Sequence, residues 1–206
     1  MRETRLHSIL RRALPMLACL LLCSCLKVPL GDPEKSKVEQ RYAGAWLWEN
    51  PEARHLIVLQ SWDARTYYVR MIALSDDVGK RKAEMTVMKG WLTRVGAETF
   101  LTLQDAESLS SLPGEDEEKI YAVMKLNQLD DRLIATPLNA SFPPFEVVRS
   151  PEELHQMIEQ HMDNPAMWAE DPIEAVRASP EQRKAFEDAY ENALAVNESP
   201  SKGGRR

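Results

Sequence analysis

The residues able to do chemistry are few and badly placed for it. Of four histidines, His155 and His161 fall on one predicted helix six positions apart. At 3.6 residues per turn that is about 240° around the axis, so they face different sides. A helical zinc pair needs a spacing of four, and Glu159, one turn beyond His155, supplies a second ligand but no third. The adjacent carboxylates Asp76-Asp77 and Asp130-Asp131 stand where turns are expected. Met71, Met85, Met88, Met124, Met157, Met162 and Met167 could offer soft thioethers to copper. Their sheet and helix spacing suits core packing as well, methionine being a ready gap filler. No serine sits in a nucleophile elbow, and no glycine-rich phosphate loop occurs. Neither a catalytic residue, a metal site nor a cofactor is predicted, and the chain reads as non-enzymatic.

Thiol chemistry is confined to the start of the chain. The three cysteines are Cys19, Cys23 and Cys25, and none follows. The remainder therefore holds together without disulfides. The 206 residues are 44% hydrophobic and 28% charged, as in an ordinary globular protein. The formal charge is -6. Residues 1–24 contribute Arg2, Arg5, Arg11 and Arg12 against Glu3, so the rest of the chain stands at -9. Such a surface repels phosphate backbones, and no basic aromatic stripe offsets it, which argues against nucleic acid.

The arginines precede a ten-residue apolar run, ALPMLACLLL at 13–22. That length suits a signal peptide and falls short of the roughly 20 residues that cross a bilayer. Leu22-Cys23-Ser24-Cys25 follows, with an aliphatic at -3, a small residue at -1, and then cysteine. This quartet resembles the lipobox of bacterial lipoproteins. The resemblance implies cleavage after Ser24, a diacylglycerol thioether on Cys25, and a domain held on the cell envelope. With Leu26 next to the cysteine, the implied address is the outer membrane, facing the periplasm. Cys23 is a poorer acceptor, because bulky Leu22 precedes it.

The organisation then reads as follows: signal peptide 1–24, lipidated N-terminus and linker 25–40, β-domain 41–149, helical extension 150–196, and disordered tail 197–206. Two prolines, one glycine and many charges make 26–40 a flexible tether with a reach of about 20 Å. Eight short strands are predicted at 42–48, 55–62, 65–74, 83–93, 98–104, 119–127, 132–137 and 145–149. Period-two alternation supports them, as in Ile120, Ala122, Met124 and Leu126. Turn residues separate the runs: Asp63-Ala64, Gly79, Gly96-Ala97 and Asp130-Asp131. Regular short strands with local turns suggest an antiparallel meander, closed as a barrel or folded as a sandwich. The acidic stretch Glu107 to Glu118 reads as a solvated loop, its spacing matching no calcium loop. Ser150-Pro151-Glu152-Glu153 has the form of a helix N-cap, and Ser179-Pro180 begins a second helix.

Gly44-Ala45-Trp46 on the first strand, with eight strands and helices behind them, resembles the lipocalin and wider calycin group. The resemblance implies an eight-stranded meander barrel followed by two α-helices. It implies that Gly44 and Trp46 close one end of the barrel, with a basic residue across the indole; Arg149, ending the predicted last strand, is placed for that. It also implies a non-catalytic binding domain for a small apolar ligand. The alternative is a protein-interaction or inhibitor module of the envelope, using a strand edge or the 107–118 loop.

Overall fold

Residues 25–77, 80–105 and 120–198 are described by the structure, a computed structural model. The signal sequence, the acidic 107–118 loop, Gly79 and the tail from 199 lie outside the described residues. The strands are β1 (Cys25–Leu26), β2 (Gly44–Glu49), β3 (Arg54–Ser61), β4 (Thr66–Asp77), β5 (Lys80–Val95), β6 (Glu98–Asp105), β7 (Tyr121–Leu129), β8 (Arg132–Pro137) and β9 (Ile173–Arg177). Helix α1 is Pro151–His161 and α2 is Pro180–Glu198. Strands β2 to β9 form an eight-stranded antiparallel meander, and β9 returns to pair with β2, so the barrel is closed.

Short polar turns set the registers. The Asp63 carboxylate accepts from the amides of Arg65 and Thr66, both at 2.7 Å. Asn50 does the same for Glu52 and Ala53. Asp130 takes φ 53° and Gly96 φ 58° in two tight hairpins. Asp76 and Asp77 are not turn residues. They end β4, in register with Arg81 and Lys80 across the hairpin.

Alternation sorts side chains between the barrel interior and two outer faces. Trp46, Leu59, Tyr67, Val69, Met88, Leu92, Leu101, Leu103, Met124, Leu126 and Leu133 fill the interior. On one outer face α1 covers Phe100, Val123 and Val95 with Leu154 and Ile158. On the other, α2 brings Phe186 and Ala193 onto Leu56, Val58, Ile72 and Leu74. Both helices start as their sequences dictate. Ser150 Oγ accepts from the Glu153 amide at 3.2 Å, and Glu153 reaches back to the Arg149 amide at 2.7 Å. Ser179 and Gln182 exchange the equivalent pair at 3.2 and 2.8 Å.

The eighth strand is not where the sequence places it. Phe145 to Arg149 and Ile173 to Arg177 share one pattern, apolar-Glu-apolar-Val-Arg. The first copy follows two prolines, Pro143-Pro144, and the second only one, Pro172. Two fixed φ angles and two missing amides turn Pro143–Val147 into a 3-10 helix. The second copy forms β9, between the two helices, so the barrel extends past residue 149 into the segment read as helical.

The segment read as a tether is also built into the fold. Leu26 pairs with Tyr121 and is buried, and Leu30 is buried completely. The Leu30 carbonyl accepts from Trp91 Nε1, Thr102 Oγ1 and Thr93 Oγ1 at 3.0, 3.0 and 3.1 Å. Gly31 turns the chain there at φ 72°, and a side chain on it would collide with Thr93. Ser36 accepts from the Leu92 amide at 2.9 Å, and Val38 donates to Ala64 at 3.1 Å. Charge and proline content hid a strap whose few apolar residues are all anchored.

Candidate functional site

The two ends of the barrel differ. Strand directions put Gly44, the 62–65, 96–97 and 130–131 turns and Arg177 at one end. Trp46 is wholly buried there, its indole nitrogen donating to the Tyr42 carbonyl at 3.0 Å. The cation across that indole is Arg177, 4.1 Å from the ring centroid, and not Arg149. Arg177 also donates to the Ala43 and Arg41 carbonyls at 3.0 and 2.9 Å. Gly44 has φ 137°, and a Cβ on it would lie 2.5 Å from Arg177 Nη1, so only glycine leaves room for the guanidinium. Arg149 lies exposed on the far side of the 3-10 helix, bonded to the Glu146 and Val148 carbonyls at 2.6 and 2.9 Å. The misplacement of Arg149 follows from the misplaced strand. Tyr67 completes the plug: its hydroxyl bonds the amide and carbonyl of Glu39, and burial pushes its pKa up to about 12.

The opposite end is looser. Inward-facing Trp48, Ile57, Met71 and Ile173 are only half-buried there. Among them His55 is 0% exposed. Its ring stacks on Trp48 at 4.2 Å between centroids and 24° between planes. Neither His55 Nδ1 nor Nε2 has a hydrogen-bond partner among the described residues. Burial alone lowers its pKa from 6.5 to about 4, so the ring is neutral at physiological pH and offers one donor and one acceptor. An unmet buried polar group costs about 1–3 kcal/mol and calls for an explanation. Sequence reasoning passed over His55; the available signal was its phase, in step with inward Ile57 and Leu59.

The other candidates do not converge. His161 packs edge-on against Phe142 at 5.4 Å. His155 lines an open surface groove of about 510 Å³, with Gly31 and Pro33 of the strap and Pro151 of α1. Among the described residues no three His, Cys, Asp or Glu side chains are grouped to hold a metal ion. The methionines divide between the interior (Met71, Met88, Met124), the α1 side (Met157, Met162, Met167) and an exposed position, Met85. The tryptophans do not line one cavity. Trp46 plugs the barrel, Trp48 stands at the open end, Trp91 holds the strap, Trp62 is exposed, and Trp168 stacks on Phe100. No described helix is long and apolar enough to cross a membrane.

Fold and interior define a closed eight-stranded antiparallel β-barrel plugged at one end by Trp46, Tyr67 and Arg177. No protein-family model, curated protein or solved structure matches the chain.

Proposed function

We propose that this chain is a bacterial envelope lipoprotein, acylated on Cys25, whose calycin-like barrel holds a small apolar ligand at its open end without transforming it. The observation that carries the ligand reading is His55, desolvated and unpartnered beneath half-exposed Trp48, Ile57, Met71 and Ile173. Apolar lining with one or two fixed polar groups is the usual composition of a small-molecule site. A ligand with an apolar body and one hydroxyl, carbonyl or amide would fill the opening and satisfy the imidazole. The sealed half of the interior makes the site a shallow cup rather than a deep calyx.

Docking of an envelope protein on a barrel edge has less support, because closure gives every barrel strand two neighbours and, along β5, only the Lys80–Val87 stretch has a single paired side among the described residues. Thermal unfolding of the delipidated domain, with and without envelope lipid extract, separates the readings. The carrier reading expects a melting temperature raised by the extract, and a smaller rise in His55→Phe. An unchanged melting temperature, with ordered water on both His55 nitrogens in a crystal structure, would dispose of it.

A further inference from the structure

We infer that the outer wall of the barrel centred on β8 and β9 is an interface with a second copy of this chain, joined about a two-fold axis. The α1 cluster takes its barrel residues from β5, β6 and β7, and the α2 cluster from β2, β3 and β4. Neither takes a side chain from β8 or β9. A strand wall open to water alternates apolar inward with polar outward. Here Leu133, Ala135 and Ala175 point inward as expected, yet the outward set is half apolar. Ile134 is half-buried, Val176 is 44% exposed, and Leu129 beside them on β7 is 55% exposed. Contiguous exposed apolar surface of this kind marks a contact site.

Register says what covers it. Arg132 stands opposite Val176, and Ile134 opposite Glu174. Leu129 flanks Arg132 on one side, and Leu47 flanks Val176 on the other. The four central residues form a checkerboard, with opposite charges on one diagonal and aliphatic side chains on the other. Diagonal neighbours on a sheet face lie about 7–8 Å apart, within reach of long side chains. Even so, Arg132 and Glu174 make no ion pair or side-chain hydrogen bond among the described residues. The pattern complements itself. A two-fold axis along the Ile134–Val176 diagonal lays each aliphatic side chain on its own counterpart. The same rotation sets Arg132 against Glu174 of the partner subunit, and Glu174 against Arg132 of the partner subunit. Such isologous contacts build most homodimers, and matched charges fix their register. With strands about 4.8 Å apart and alternate residues about 6.6 Å apart, the two walls cross at about 70°, toward the orthogonal class of sheet packing. Convex walls crossing so steeply touch over a few strands. The contact therefore falls at the small end of specific interfaces, under about 1,200 Å², and the dimer exchanges.

The test places a cysteine on the axis, Ile134→Cys, in the full-length chain expressed in bacteria. Lys184→Cys, on the exposed side of α2, is the control. Under mild oxidation Ile134→Cys is expected to give a disulfide-linked dimer several-fold above the control. Arg132→Glu in that background sets like charges together twice per dimer, and so does Glu174→Arg. Each alone should lose most of the linked dimer. Coexpressed, the two should recover it, because each supplies the charge that the other needs. Thermal unfolding reports that the barrels are intact, and the axis cross-link, made with the natural charges, decides the inference even where a reversed variant fails to fold. Cross-linking at 134 no stronger than at 184 overturns it. So does a loss that coexpression fails to reverse, or a linked product whose mass shows a different protein on this wall.

Discussion

Replacing His55 by phenylalanine removes two unmet ring nitrogens while keeping an aromatic partner for Trp48. The unfolded imidazole titrates near 6.5 and the folded one near 4. Between those values the unfolded chain binds the extra proton, so stability carried by the neutral ring is complete above pH 6.5 and is lost as pH falls toward 4. From pH 7 to pH 5 the two pKa values give about 1.8 kcal/mol at 1.36 kcal/mol per unit. Relaxation of the surroundings around a charged ring offsets part of this, leaving about 1 kcal/mol. Urea unfolding of delipidated protein at both pH values, wild type against His55→Phe, reads the difference directly. Carboxylates titrating near pH 5 contribute to both proteins and cancel in the comparison. The variant should lose about 1 kcal/mol less than wild type over that interval. At pH 7 without ligand it should match or exceed wild-type stability by up to about 1–2 kcal/mol, since the two ring nitrogens of His55 are then no longer buried unmet. An identical pH dependence in both proteins would refute the reasoning. So would a variant markedly less stable at pH 7, which would mean that the nitrogens are satisfied.

The two arginines give a clean contrast: Arg177→Ala should cost about 1–2 kcal/mol in urea unfolding, through the Trp46 stack and two carbonyl contacts. Arg149→Ala, on an exposed loop, should stay within about 0.5 kcal/mol. Gly31→Ala puts a side chain at φ 72° against Thr93 and should cost about 2 kcal/mol, with faster proteolysis of the 26–40 strap as a second readout. Phe186→Ala should cost about 3 kcal/mol and raise amide exchange throughout α2, because Phe186 is the largest buried side chain that helix brings to the barrel.

Where local pattern and tertiary role agree, the sequence was sufficient. The alternating strands, the Ser150 and Ser179 caps and the turns at 62–65, 96–97 and 130–131 all read directly, and with them the closed meander and two C-terminal helices. The errors have one physical origin, in that composition does not report contacts. The pentapeptide 145–149 was read as the last strand, whereas 173–177, of the same pattern but with one preceding proline instead of two, forms it. Arg149 ends the misplaced strand as Arg177 ends the actual one. The strap looked unstructured because two prolines and many charges surround Leu26 and Leu30, yet those two side chains, the Leu30 carbonyl, Ser36 and Val38 all seat it. His55 was invisible as a site residue, since its importance lies in what it lacks: a partner on any neighbouring strand, which no spacing rule encodes.

The central claim is an acyl-anchored barrel occupied at its open end. Mass spectrometry of detergent-extracted native protein, measured under native and then denaturing conditions, addresses it in one preparation. The denatured chain should begin at Cys25 and carry acyl groups, and the native particle should weigh more by one small apolar molecule. Native and denatured masses that agree, or a chain that retains its first 24 residues, would contradict the account.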